Sequence, residues 1–263
     1  MKVGIIGCGF IGNEIAEFID RDNYFKLIGL NDIDKNKASD LARKLKNNTP
    51  KFMDLDSLIE KCDLIIESAA KNIIKEILSN GNIDKKNKKL LVMSTGGLIG
   101  NLNLLNKIKN CEILLPSGAI AGLDAVKSVS GKINSLALTT TKPVTGLEGA
   151  PYILKKSMDL SSIKGKKVIF EGNLSGAVEG FPQNINVAAT LFLASNFKDI
   201  KVKIIADADT KFNTHEIQAE GGFGIIKAAT INLPGKNPKT SYIAVLSAIQ
   251  AIKNLKENVK IGN

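Results

Sequence analysis

The chain has no tryptophan and a single histidine, and its only arginines are Arg21 and Arg43. Aromatic residues make up 5% of it and cysteines number three. Each scarcity excludes something. A formal net charge of +10 invites a nucleic-acid reading, yet the positive side chains are almost all lysine. Base-edge readout favours arginine, and single strands are gripped between aromatics; this sequence supplies neither. The lysine-rich segments at 35–46, 85–89, 155–167 and 253–260 read as solvated helix faces and loops with a general attraction for anionic metabolites. Cys8, Cys62 and Cys111 are widely spaced and form no metal-ligand pattern, so no metal site is expected. They read as filler in a reducing compartment and offer no nucleophile of the semialdehyde-dehydrogenase kind. Long hydrophobic runs are missing too. The apolar stretch at the N-terminus is only about five residues long before it breaks into glycines, too short for a signal peptide or a membrane span. A cytoplasmic protein is expected, with neither membrane nor nucleic acid as partner.

What the chain does contain begins at once. Lys2-Val3-Gly4-Ile5-Ile6 is a β-branched apolar run, and Gly7-Cys8-Gly9-Phe10-Ile11-Gly12 follows it. Ile11, Ile15, Phe18 and Ile19 then recur at helical spacing. Strand, G-x-G-x-x-G and helix is the context that a dinucleotide fingerprint needs. Gly7 allows the tight turn, Gly9 lets backbone approach a pyrophosphate, and Gly12 lets helix and strand pack closely. The helix-start N–H groups, at Phe10 and Ile11, face the phosphates. Phe25 to Asp32 reads as the second strand. Asp32 ends it about twenty residues past the last glycine, where an acid binds the adenine ribose hydroxyls. The cofactor expected is NAD or NADP. Asp32 argues for NAD, whereas Lys35 and Lys37 are placed to accept a 2′-phosphate.

Further on, residues 35–47 pattern as a helix, 51–53 as a short edge strand and 63–69 as a buried parallel strand. That strand ends in small residues, Ser68 and Ala69, where a cofactor would lie. Helices over 71–79 and 102–109 alternate with strands over 89–94 and 112–116. This βαβ rhythm predicts a doubly wound, mostly parallel sheet over residues 1–118. From Pro116 the texture changes to a small-residue hinge. Strands follow over 135–141, 168–172, 200–206, 216–220 and 225–233, with one clear helix over 184–194. The fold class is therefore α/β: a Rossmann domain, then an α+β domain over 119–239 built on a largely antiparallel sheet. A last helix within 240–263 returns to the first domain.

An enzyme of this plan places substrate between its domains and needs an acid/base group, which the nicotinamide does not supply. His215, in a polar turn leading into a strand, is the one side chain with a pKa near neutrality; it is either that group or an ordinary core or surface histidine. Lys142, after Thr139-Thr140-Thr141, is either a cation for a substrate carboxylate or one more solvated lysine. Asn184 and Asn186 either cap a helix or hold the nicotinamide carboxamide or the substrate. Ser117, Gly118 and Ala119 either offer groups near the nicotinamide ring or form a plain hinge turn.

Several stretches coincide with one family. GCGFIG at 7–12, PSGAIAGLDAVKS at 116–128, TTTKP at 139–143, FPQNINVAATLFLA at 181–194 and THEIQAEGGFG at 214–224 resemble L-aspartate dehydrogenase, in order along nearly the whole chain. The resemblance implies NAD(P)-dependent oxidation of L-aspartate to iminoaspartate, which hydrolyses to oxaloacetate and ammonia or feeds quinolinate and hence NAD synthesis. It implies that His215 is the active-site histidine, that Ala119 and Asn186 contact the cofactor, and that the protein is a homodimer. Ala121 departs from the glycine found in many relatives, a small change. The alternative is another reductase of the same plan, homoserine-dehydrogenase-like or dihydrodipicolinate-reductase-like.

Overall fold

The protein is described from a computed structural model, in which residues 1–182, 185–233, 235, 241–259 and 261 are described. The chain divides into two compact units, Met1–Pro116 with Ser247–Asn258, and a second centred on Ser117–Leu246.

The first unit holds six strands: β1 (Lys2–Ile6), β2 (Lys26–Asn31), β3 (Lys51–Phe52), β4 (Leu64–Glu67), β5 (Lys89–Val92) and β6 (Glu112–Leu114). Their order across the sheet is β3-β2-β1-β4-β5-β6, and every neighbouring pair is parallel. That is the order of a dinucleotide-binding sheet, with its reversal of direction beside β1. Helices α1 (Phe10–Asp20), α2 (Lys35–Lys44), α3 (Leu55–Lys61), α4 (Ile73–Ser79), α5 (Gly96–Ile99) and α6 (Leu102–Leu105) supply the connections. A parallel sheet covered on both faces needs strands that are apolar throughout; accordingly all four residues of β4 are buried. Val3, Ile5, Ile15, Ile19, Leu27, Leu30 and Leu41 form the core, joined by Ala248 and Ile252 from the end of the chain.

Two helices are shorter than their sequence patterns predict. The pattern over 35–47 stops at Lys44 because the Asp20 carboxylate accepts the N–H groups of Lys46, Asn47 and Asn48 at 2.7–3.0 Å and draws that backbone away from the helical path. The pattern over 102–109 gives a single turn, after which the chain continues as turns.

The second unit carries β7 (Ile133–Pro143), β8 (Lys166–Asn173), β9 (Lys201–Asp207), β10 (Asn213–Gly221) and β11 (Gly224–Asn232), in the order β11-β10-β7-β9-β8. Only the β7–β9 neighbours are parallel; the other three pairs are antiparallel. α7 (Leu123–Ser128), α8 (Pro151–Lys155), α9 (Leu174–Gly180) and α10 (Asn186–Ser195) accompany the sheet, and α11 (Tyr242–Lys253) closes the chain. α8 and α9 are absent from the sequence reading, for a physical reason. α8 spans five residues, and α9 (LSGAVEG) carries a glycine at its third position besides the one that ends it, so neither shows a helical stripe. What starts α9 is a cap, the Asn173 side chain accepting the Gly176 N–H at 3.0 Å.

Candidate active site

In the first unit the fingerprint glycines each have a different physical reason to be there. Gly7 has φ +95°, and a Cβ on it would lie 2.5 Å from the Ala69 nitrogen. On Gly12 a Cβ would meet the Gly7 carbonyl oxygen at 2.0 Å, so helix and strand touch backbone to backbone. Around Gly9, by contrast, a Cβ would meet nothing within 4 Å, which leaves the turn open on the side where a pyrophosphate approaches. α1 starts at Phe10, so the Phe10 and Ile11 N–H groups belong to the first turn, which has no intrahelical acceptors. Asp32 follows β2 directly. Its carboxylate accepts the Cys8 N–H at 2.7 Å and the Asp34 N–H at 2.9 Å, which holds the acid beside the glycine turn. The residues present fit a dinucleotide: an open turn, helix-start donors and an acid at the end of the second strand.

Ala69 is exposed at the end of β4, next to a carboxylate that sequence reasoning missed. Glu67 is fully buried, accepting the Ala69 N–H and the Ser94 N–H at 2.9 Å each, one on either oxygen. Burial pushes its pKa up, and the donated hydrogen bonds oppose that shift.

In the second unit, His215 and Lys142 come together. His215 stands in no turn: it is the third residue of β10, because the ladders to β7 and β11 both extend back to Asn213 or Thr214. It is 4% exposed. Its cross-strand partner on β7 is Thr140, whose Oγ1 lies 3.0 Å from Nδ1. Lys142 is not a solvated lysine either. It lies within β7, two residues beyond Thr140 on the same face, and is also 4% exposed. Together with Thr140 it lines a small cavity with Phe181 and Ile185. Burial, and secondarily the Lys142 charge, push the His215 pKa down to about 3, so the imidazole is neutral.

The rest of that sheet face is apolar: Leu136, Leu138, Val202, Ile204, Ile217 and Ala219. Polar residues occupy one corner of it only. Thr140, His215 and Thr230 form one cross-strand row. Asn213 and Asn232 pair in the next, beside Lys142. Asn213 Oδ1 is buried and has no hydrogen-bond donor, alone among the buried side-chain polar atoms of the described residues. Thr230 Oγ1 and Asn232 Nδ2 both donate to the Ala119 carbonyl, at 2.6 and 3.1 Å, and so hold the small-residue loop against this corner. Thr140, Asn213, Thr230 and Asn232 escaped the sequence reading. The signal that could have found them is strand alternation, which puts 140 with 142 and 213 with 215 on one face.

The other expected residues are placed differently. Ser117 is exposed, its carbonyl accepting the Ile120 N–H at 3.4 Å. Asn186 is the first residue of α10 and its side chain is exposed. Asn184 lies outside the described residues. The three cysteines are free and buried, and burial pushes the Cys8 and Cys62 thiols up to about 12 and the Cys111 thiol to about 11. Among the described residues no group of three His, Cys, Asp or Glu side chains could hold a metal ion, and no helix is long and apolar enough to cross a membrane.

Comparison with known proteins bears on both units. A family model described as "Homoserine dehydrogenase, NAD binding domain" matches residues 7–112, and one described as "Aspartate dehydrogenase, C-terminal" matches residues 124–255. L-aspartate dehydrogenase from Methanosarcina acetivorans is 42% identical over 100% of this chain and 99% of its own length. The enzyme of that name from Methanococcus maripaludis is also 42% identical, with the same coverage. The crystal structure of aspartate dehydrogenase from Thermotoga maritima superposes with a TM-score of 0.75 at 25% identity, covering 100% of this chain and 99% of that one. With both units matched and the whole length aligned, the chain belongs to the L-aspartate dehydrogenase family.

Proposed function

We propose that the protein oxidises L-aspartate to iminoaspartate with NAD or NADP, and that water then releases oxaloacetate and ammonia. The observation that carries this reading is the polar corner of the second sheet, where a buried cation and a neutral imidazole share one face. When bound, NAD(P) accepts the hydride at its nicotinamide ring. Gly7, Gly9 and Gly12, with the Phe10 and Ile11 N–H groups, hold its pyrophosphate, and Asp32 its ribose. Ala69, Ala119 and Asn186 contact the nicotinamide end. Lys142 receives a substrate carboxylate, with Ser117 and Asn184 as further substrate contacts.

The chemistry requires an amine lone pair, since that pair forms the C=N bond as the α-hydrogen leaves with its own electrons. Aspartate arrives as an ammonium, so one proton must go first. His215 takes it: its imidazole is neutral, and a substrate carboxylate paired with Lys142 offsets the charge that disfavours a second ring proton. Alternatively, His215 takes a proton from the water that adds to the imine. His215→Ala is expected to cut turnover by roughly 10²–10⁴ with NADH binding unchanged. A spectrophotometric amino-acid screen with NAD and NADP side by side tests the whole reading. Reduction with homoserine in place of aspartate would favour the homoserine-dehydrogenase-like alternative. The same screen weighs Asp32, which favours NAD, against Lys35 and Lys37.

The wider setting follows from the same reading: iminoaspartate feeding quinolinate and NAD synthesis, in the cytoplasm, where buried free thiols stay reduced. The protein is a homodimer. Support comes from the edge strand β11, whose outer face exposes Ile225 (63%) and Ile231 (71%) on either side of Lys227.

A further inference from the structure

A neutral imidazole has one bare nitrogen, and which one it is depends on the hydrogen bond made by the other. We infer that Thr140 is a positioning residue whose hydroxyl accepts the Nδ1–H of His215, leaving the Nε2 lone pair to meet the substrate nitrogen. This rests on the reading of His215 as proton acceptor, and it adds the residue that decides which atom accepts.

Four observations carry it. Thr140 and His215 are direct cross-strand partners, so the two side chains leave the sheet side by side, with Oγ1 and Nδ1 at 3.0 Å. Both are buried, which keeps water from replacing the hydroxyl. The partner on the other flank, Thr230, is already committed, its hydroxyl donating to the Ala119 carbonyl at 2.6 Å. Finally, threonine is stiff at χ1, so its oxygen stays where the strand puts it. Lys142, on the same strand and face, is the charged group beside the ring, so before a substrate carboxylate pairs with that charge the buried imidazole carries a single ring proton. Tautomer, not charge, is therefore the variable left to set. A hydroxyl can either donate or accept. Accepting is the arrangement that leaves a base at the far nitrogen, the logic by which a third group orients the base of a nucleophilic site.

Because the chain has one histidine, its ring nitrogens can be read without assignment. The experiment is a two-bond proton–nitrogen correlation spectrum of the full chain labelled with ¹⁵N-histidine at neutral pH, paired with steady-state kinetics. The expected wild-type spectrum shows a protonated Nδ1 and a bare Nε2. Thr140→Val, nearly isosteric, loses that preference. Its kcat falls on the order of 10-fold to 100-fold, the scale on which outer partners of functional histidines act, with NADH affinity and aspartate KM held. Thr140→Ser restores both the spectrum and the rate. A wild-type spectrum with a protonated Nε2 overturns the inference, as does a Thr140→Val protein that keeps both tautomer and kcat. Should Thr140→Val fail to fold, the wild-type spectrum and the serine variant still decide. A protonated Nε2 in an enzyme that His215→Ala inactivates removes Thr140 from its role alone. Near-native turnover of His215→Ala removes the proton-acceptor reading instead.

Discussion

At the scale of single residues, the chain's one histidine has an energetic consequence apart from catalysis. Unfolded, His215 takes up a proton near pH 6.5; folded, burial and Lys142 hold protonation off until about pH 3. Between those values the unfolded chain binds more protons, so the native state loses stability as pH falls. At about pH 5 this one side chain weakens the fold by about 2 kcal/mol. Carboxylates such as Asp20, held below their usual pKa by backbone N–H donors, act in the same direction at lower pH. His215→Gln should therefore lose less of its thermal midpoint than wild type on going from neutral pH to about pH 5. Parallel curves for the two proteins would mean that the ring is hydrated after all. The residue identity was plain in the sequence; its burial was not, because a histidine between Thr214 and Glu216 looks like part of a polar turn until both flanking ladders are in place.

At the scale of elements, the carboxyl ends of β4 and β5 are joined through one buried side chain. Glu67 gives one oxygen to the chain leaving β4 and the other to the chain leaving β5. Glutamine has the same shape but turns a donor toward one of those two N–H groups. Glu67→Gln should then cost about 1–3 kcal/mol, the cost of leaving a buried donor unsatisfied. A thermal midpoint equal to wild type would show the site to be looser than drawn. The glycine turn and Asp32 were legible in the chain because strand, turn and helix are local and their spacing is set by covalent geometry. Glu67 was not: it reads as one more residue of the buried strand over 63–69, and its partner at Ser94 is 27 positions away.

For the molecule as a whole, the proposed homodimer makes a direct prediction. Sedimentation should give twice the 28.2 kDa of the chain, and Ile225→Glu with Ile231→Glu should shift the population to single chains. A wild-type protein of single-chain mass at micromolar concentration would sink that part of the reading. The alternation of strands and helices predicted the parallel sheet, and the run of strands after Pro116 the second, largely antiparallel one. The short helices α8 and α9 were missed because packing and a cap, more than a periodic stripe, make them helical.

The sequence alone determined the dinucleotide turn, the two kinds of sheet and the family likeness, because these rest on patterns a few residues long or on motifs kept in order. Only the tertiary structure decided that Lys142 is a buried cation, that Thr140 faces His215, and that Thr230 and Asn232 hold Ala119. Those contacts join positions up to 113 residues apart, and strand register, which no local pattern sets, is what brings them together.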